Sequence, residues 1–158
     1  MVSTGPLNRR QRLRQVGNWV NLTTPLGIGV AKLGHARVSR GPRGLLLAER
    51  YRLGLPVASA FTVGNVLVTR QTWEAVLARN PRLFEHEERH TWQYLYCGGL
   101  PFIGVYVVST AWSLLRTGDR AARNFFERQA GLKIGGYLDV PVRPVSALFS
   151  RRGRSRDA

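Results

Sequence analysis

The sequence predicts a single α+β domain in which a small antiparallel sheet is followed by a series of helices. The chain has 158 residues, which is enough for one compact core and too few for two comfortable ones. Hydrophobic residues make up 44% of the chain, the usual proportion in a globular protein. Short β-rich runs come before helical patterns along the chain, an order typical of the α+β class.

Two basic flexible segments are predicted to flank this domain. Arginine recurs through residues 1–15 and again through residues 146–158, and blocks of like charge are commonly disordered. Residues 16–145 are then the single domain. It opens with an apolar stretch over 19–33, expected to be a short helix that packs on the domain, and residues 35–43 are expected to be a loop.

The strands of the sheet are predicted over residues 44–53, 58–63 and 65–69. Each run is short and rich in apolar or β-branched residues, and turn-forming residues at 54–56 and 64–65 divide them. The last strand is expected to offer an edge to which an extended peptide can add as a further strand.

Two helices follow the sheet, over residues 72–79 and 80–97. Thr72 is a suitable cap for the first. Asn80 is a strong N-cap and Pro81 fits the first helical position, so the second helix is expected to begin there. The glycines that follow residue 97 end it.

Two further helices are predicted, a buried one over residues 102–115 and a last one over 118–135 with Asp119 as its cap. The first of these helices lies within a longer uncharged stretch over 91–115. That stretch is nominally long enough to span a bilayer. Glycines and a proline interrupt it at 98–101. The uninterrupted part suits a core helix or an interfacial one better than a membrane span.

A metal-binding pattern lies within the helix predicted over 80–97, where His86 and His90 bracket Glu87 as H-E-x-x-H. Residues four apart share one face of a helix, so both imidazoles can point at one cation. Glu87 lies about 100° further round the helix, where it can hold a water as general base. The chain has three histidines in all, which makes this spacing improbable by chance. The pattern predicts one Zn²⁺; the alternative is a pair of helix histidines that bind nothing.

A third ligand is needed, because catalytic zinc commonly has three protein ligands and an open position. Glu127 is favoured, since the small residues Ala130 and Gly131 on its helix allow a close approach to the histidine helix. Its alternative is a surface pair with Arg123. Among the other downstream acids, Asp119 is expected to cap a helix, Asp139 is a weaker candidate ligand and Asp157 lies in the tail. His35 is expected in a loop.

These motifs together resemble the small gluzincin-type zinc metallopeptidase-like proteins of actinobacteria. The resemblance rests on the H-E-x-x-H run, on the Trp-Gln-Tyr at 92–94, and on the Asn-Phe-Phe-Glu-Arg-Gln-Ala run at 124–130. It covers about residues 44–137 and implies a minimal zincin-like fold. It differs from the family pattern at Phe125, which stands where the family usually has proline.

The resemblance implies zinc held by His86, His90 and Glu127, with Glu87 as general base of a hydrolase, above all a peptidase. Zinc polarises a carbonyl and activates a water, and the base moves its proton to the leaving amine. Tyr137, or Tyr106 in its place, is a candidate to stabilise the oxyanion; the alternative for both is a packing role. A non-catalytic protein in which zinc joins two helices is the rival interpretation.

The charge of the chain suggests further partners. Twenty-four basic residues outnumber nine acidic ones, for a net charge of +15, which favours anionic membranes or nucleic acid as partners. Nucleic acid is the weaker expectation, because basic and aromatic residues do not alternate. A basic surface-binding protein with an incidental motif is therefore a third interpretation. The single Cys97 and the lack of a signal-type apolar run predict a cytoplasmic protein with membrane-surface contact, and the oligomeric state stays open.

Overall fold

The computed structural model describes residues 5–54 and 58–144. The α+β class is confirmed, with a four-stranded sheet and six α-helices in this part of the chain. In chain order the elements are α1 (Arg9–Val20), α2 (Thr23–Leu33), β1 (Arg37–Arg40), β2 (Leu46–Glu49), β3 (Ala60–Val63), β4 (Val66–Thr69), α3 (Trp73–Arg79), α4 (Leu83–Tyr96), α5 (Pro101–Thr117) and α6 (Phe125–Ala130). A short 3₁₀ turn at Pro42–Gly44 joins β1 to β2.

The N-terminal region is more ordered than the sequence suggested. The flexible arm predicted over 1–15 is wrong from residue 8 onward, because Asn8 and Gln11 form a capping box that starts α1. Arg14 on this helix is fully buried against α4. The apolar stretch over 19–33 is divided between two helices, since Leu22 adopts a left-handed conformation between them. The tail predicted at 146–158 lies outside the described residues.

The sheet is mixed, which corrects the antiparallel prediction. Its strand order is β1-β2-β4-β3, with β1 and β2 antiparallel, β3 and β4 antiparallel, and β2 and β4 parallel. The parallel pair arises because the second strand of the β3–β4 hairpin, not the first, lies beside β2. Strand β1 lies within the loop predicted over 35–43. All four of its residues are exposed, so its sequence lacks the alternation of apolar and polar residues that predicts a strand.

The strand order also corrects the expected peptide-binding edge. Strand β4 was expected to be an edge, but it lies between β2 and β3 and its four residues are all buried. The outer strand on that side is β3. Helix α2 covers one face of the sheet, where Ala31 meets Val66 and Val68; α3 and α4 cover the other, where Trp73 and Leu83 meet Leu67 in one apolar cluster. This second face positions the candidate site.

The helices after the sheet follow the prediction in outline. Thr72 caps α3 through its hydroxyl, as expected. Helix α4 begins at Leu83, later than predicted, because Asn80 forms a turn in which its side chain accepts from the amide of Arg82. It ends where predicted, before Gly98, which adopts a positive φ of 73°.

Two predictions about the last helices are wrong. Helix α5 is not a buried helix: only Phe102, Ser113 and Thr117 on it are buried. The final helix is shorter than predicted, because Asp119 caps a separate turn and Asn124 starts α6.

Within the described ranges, no single helix is long and apolar enough to cross a bilayer. Helices α4 and α5 meet that test of length and composition only as a pair, and they are bent by 120° at the break between them.

Candidate metal centre

Helix α4 carries the three residues of the H-E-x-x-H run into the interior. His86, Glu87 and His90 are 1%, 3% and 7% exposed. The same helix buries Leu83 and Tyr94 one turn before and one turn after them, so the helical repeat continues the apolar face through the site. The histidines therefore face the core, as the spacing predicted.

Helix α6 brings Glu127 to the same place. Asn124 is fully buried, and its side chain accepts from the amides of Phe126 and Glu127, which sets the first turn of α6. The amide of Phe125 donates to Ser109 Oγ at 2.8 Å. This bond anchors the start of α6 to α5.

The three side chains converge on one point. His86 Nε2 lies 3.1 Å from His90 Nε2 and 3.1 Å from Glu127 Oε2, and His90 Nε2 lies 3.6 Å from Glu127 Oε1. Ligand atoms at ordinary zinc distances and tetrahedral angles are about 3.3 Å apart. The donor atoms therefore have the spacing of a metal site, and all three residues are buried.

The hydrogen bonds of the two imidazoles fix which nitrogen faces the centre. His86 Nδ1 lies 3.3 Å from the carbonyl oxygen of Gly131, and His90 Nδ1 lies 2.7 Å from Gln93 Oε1. The Gln93 amide is oriented by its Nε2, which donates to the Phe126 carbonyl and to Gln129. Because oxygen accepts, each Nδ1 carries the hydrogen and each Nε2 presents its lone pair to the centre, an assignment that rests on these partners.

The negative charge of Glu127 is only partly compensated by its neighbours. Its Oε1 accepts from the Tyr106 hydroxyl, while its Oε2 is a buried oxygen without a hydrogen-bond donor among the described residues. Two imidazole lone pairs and a carboxylate within 4.8 Å of one another repel unless a cation lies between them. The residues therefore fit a bound metal ion.

The pKa directions agree with a site that attracts positive charge. Burial lowers the pKa of His86, but the adjacent Glu127 carboxylate and the nearby charge of Glu87 outweigh burial and raise it overall. Burial raises the pKa of Glu127, but its contacts with His86, His90 and Tyr106 outweigh that effect and lower it.

Glu87 lies beside the three candidate ligands, and β3 holds it there. The Thr62 hydroxyl on that strand donates to Glu87 Oε2 at 2.6 Å. Burial raises the pKa of the Glu87 carboxyl, and the nearby histidines and the Thr62 bond offset only part of this rise. A raised pKa makes a carboxylate a better proton acceptor near neutrality. Sequence reasoning missed Thr62; its one signal is a hydroxyl on the buried side of an otherwise apolar strand.

The site opens into a cavity of about 450 Å³ with mostly apolar walls. Glu87, His90 and Glu127 form part of its floor, and β3 contributes all four of its residues. The apolar walls come from α2, β3, α4 and α5 and include Leu26, Val30, Phe61, Tyr94, Phe102 and Ile103. Such a cavity can hold an apolar group of a ligand next to the convergent polar residues.

The two tyrosines considered for oxyanion stabilisation both line this cavity, in different roles. Tyr106 donates to Glu127, so it orients a candidate ligand. The ring of Tyr137 lies 5.9 Å from that of His86. Gly135 permits this approach, since a Cβ there would lie 2.6 Å from His86 Cε1. Burial, followed by the charge of Glu127, raises the pKa of both hydroxyls, so both are proton donors at neutral pH.

Within the described residues the alternative ligands lie elsewhere; Asp157 is outside those residues. Asp139 pairs with Arg128 at 3.2 Å and with Arg123 at 3.7 Å, so Arg123 pairs with Asp139 and not, as the alternative for Glu127 predicts, with Glu127. Asp119 accepts from two backbone amides. His35 occupies the turn after α2 and takes no part in the cluster.

Comparison of the chain with protein-family models, curated proteins and solved structures finds no match. The functional interpretation therefore rests on the geometry of the site.

Proposed function

We propose that this protein is a zinc-dependent hydrolase with a minimal zincin-like fold, and that its substrates are peptides. One observation carries the proposal: His86, His90 and Glu127 direct three potential ligand atoms at one point, and the separate carboxylate of Glu87 is buried beside them. Three ligands and a neighbouring base are the parts that metal-dependent hydrolysis requires.

The donor set favours zinc over the other common ions. Two imidazole nitrogens and one carboxylate suit zinc, whereas magnesium and calcium prefer oxygen ligands throughout. In the described part of the chain, the cluster offers three ligand residues of the types that bind metals. A site with three protein ligands keeps a position for substrate or water, which favours catalysis over a closed structural site.

The residues around the site supply the proton transfers of peptide hydrolysis. Zinc bound there would act as a Lewis acid toward water and the substrate carbonyl. Glu87 accepts one proton as the water oxygen bonds to the carbonyl carbon, and it returns that proton to the nitrogen when the C–N bond breaks. The Tyr137 hydroxyl is the candidate donor to the oxyanion. Thr62 keeps Glu87 oriented during both transfers.

Strand β3 supports a peptide as substrate. It is the outer strand of the sheet beside the site, and all four of its residues line the cavity. An extended peptide that pairs with an outer strand gains backbone hydrogen bonds, while its side chains enter neighbouring pockets. The apolar walls favour a hydrophobic side chain at the residue nearest the metal.

The test is to measure bound metal and hydrolysis on one set of purified variants. The wild type is expected to carry about one zinc per chain. His86→Ala, His90→Ala and Glu127→Ala are expected to lose it, while Glu87→Gln keeps it and cleaves a fluorogenic peptide library roughly 10²- to 10⁴-fold more slowly. Elemental mass spectrometry and initial rates measure the two effects.

His35→Asn is the matched control, because it removes the one histidine outside the site and asparagine tolerates the positive φ at that position. This variant is expected to keep both zinc and activity. A wild type that binds no zinc after reconstitution overturns the metal site. Zinc at full occupancy without cleavage of any peptide overturns the hydrolase and leaves zinc with a purely structural role.

A further inference from the structure

Helix α5 is polar on its inner side and apolar on its outer side, the reverse of a helix on a water-exposed surface. Its inner side carries hydroxyl groups along almost its whole length, and each bonds to the structure beneath. The residues are Tyr106, Ser109, Thr110, Ser113 and Thr117. The helix is thus held to the body of the protein by hydrogen bonds more than by apolar packing.

The outer side of α5 has no hydrogen-bonding group except the Trp112 indole, and it is exposed along its length. Val107 and Val108 at its middle are 59% and 69% exposed, and Trp112 is 54% exposed. The outer apolar face consists of Val105, Val107, Val108, Ala111, Trp112, Leu114 and Leu115. A continuous exposed apolar surface of this kind marks a site of association, not a water-facing surface.

The charge around α5 indicates what covers this face. The helix is uncharged from Phe102 to Leu115, and its 17 residues make it about 25 Å long. Positive charge begins at its C-terminal end. The guanidinium of Arg116 lies 5.4 Å from the ring centroid of Trp112, and the backbone amide of Arg143 donates to the Arg116 carbonyl at 2.8 Å. Arg120 lies just beyond the end of α5 and is exposed.

We propose that the outer face of α5 inserts into the surface of an anionic lipid bilayer. The apolar side chains enter the acyl region, Trp112 lies at the boundary, and the arginines at the end of the helix meet the headgroup phosphates. The acyl region of a bilayer offers no hydrogen-bonding partners, and the inserted face has no hydrogen-bonding side chain except Trp112. This inference does not depend on the metal site or on peptide hydrolysis.

A second copy of the chain is a less suitable occupant. Each chain has a net charge of +15, so electrostatic repulsion opposes the approach of two copies. The same charge attracts anionic headgroups, with a contribution of about 1 kcal/mol for each basic residue close to the surface.

The test is co-sedimentation of the full chain with vesicles of phosphatidylcholine alone and of phosphatidylcholine mixed with phosphatidylglycerol. The wild type is expected to bind the mixed vesicles more tightly than the neutral ones. The double variant Val107→Gln/Val108→Gln changes no charge and is expected to weaken binding roughly tenfold or more, because two valines no longer gain from burial. Both residues are exposed, so circular dichroism is expected to show an unchanged fold.

The matched control is Leu33→Gln/Val38→Gln, which alters two exposed apolar residues near β1 at the opposite edge of the sheet. It is expected to bind vesicles like the wild type. Equal binding by the wild type and the α5 variant overturns the insertion and leaves attraction by arginine alone. A wild-type dimer that the α5 variant converts to monomer, without vesicle binding by either, assigns the face to a second copy instead; sedimentation velocity measures this outcome.

Discussion

Helix α4 contributes to two acidic clusters on neighbouring faces, and they differ in how their charge is neutralised. Toward α1, Glu88 has both oxygens paired, one with Arg14 at 2.9 Å and the other with Arg43 at 2.5 Å. Toward α6, Glu87 and Glu127 share their surroundings with two histidines, and Glu127 Oε2 has no hydrogen-bond donor among the described residues. The first cluster is neutralised by side chains of the chain itself, whereas the second is not neutralised by the described residues.

The difference separates a structural role from a chemical one. Arg14 also donates to the Arg43 carbonyl and lies over the Trp92 ring, so the Glu88 cluster fastens α1 and the loop before β2 to α4. Burial lowers the pKa of Arg14, and its partner Glu88 opposes that shift. A cluster neutralised within the chain is a fixed contact between helices. A buried cluster that the surrounding residues do not neutralise is a candidate binding site.

The largest expected effect comes from breaking the Glu88 cluster. Arg14→Met leaves Glu88 without its buried partner and is expected to lower the free energy of unfolding by about 3–5 kcal/mol. The fraction that stays folded is expected to bind zinc normally. Arg12→Met, an exposed neighbour on the same helix, is the control and is expected to change stability by about 0.5 kcal/mol or less. Denaturant unfolding measures both; equal effects would show that Glu88 does not need Arg14.

Zinc is expected to stabilise the cluster of His86, His90 and Glu127. Zinc at about a thousand times its Kd is expected to stabilise the wild type by about 4 kcal/mol, a rise in Tm on the order of 10 °C. A chelator reverses the rise. Differential scanning calorimetry of the wild type and His90→Ala makes the comparison, since the variant is expected to show no rise. A rise of the same size in the variant places the metal elsewhere.

A smaller effect is expected from the residue behind His90. Gln93→Leu removes the acceptor for His90 Nδ1 and is expected to weaken zinc binding about 10- to 100-fold without removing a ligand. Gln129→Leu, which removes only a partner of Gln93, is the graded control and is expected to have a weaker effect. Competition with a chromophoric chelator measures both affinities. A Gln93 variant with wild-type affinity contradicts the assigned orientation of His90.

The smallest effect is the pH dependence of zinc binding. Burial lowers the pKa of His86, but Glu127 and Glu87 outweigh burial and raise it. A protonated imidazole has no lone pair for zinc, so affinity is complete above this pKa and falls about tenfold per pH unit below it. The loss is expected to begin at a higher pH than for an unperturbed histidine. Glu87→Gln removes one cause of the rise and is expected to move the onset to lower pH; chelator competition across pH tests this.

Helix α4, which carries both histidines, was predicted in outline, because the glycine after residue 97 is a local signal that ends a helix within a turn. The starts of α4 and of α6, which carries Glu127, were predicted wrongly. Strand order was not predictable in the same way. The parallel pairing of β2 with β4 depends on which strand of a hairpin lies inward, and short apolar strands fit either place.

Helix α5 shows where a compositional rule fails. The run over 102–115 is uncharged and apolar on average, which predicts a buried helix, yet most residues of this helix are exposed. The hydroxyls at Ser109 and Ser113 recur on one side of the helix and meet partners on α6 and the turn before it. Hydropathy alone does not show which side of a helix faces the body of the protein.

The sequence by itself determined the H-E-x-x-H face, because the relation between His86 and His90 follows from the repeat of a single helix. It also marked Glu127 as the best third ligand. Only the tertiary structure brought Glu127 Oε2 to 3.1 Å from His86 and placed Thr62 against Glu87. Those distances join residues far apart in the chain, and they depend on how α6 and β3 pack on α4, which no local pattern encodes.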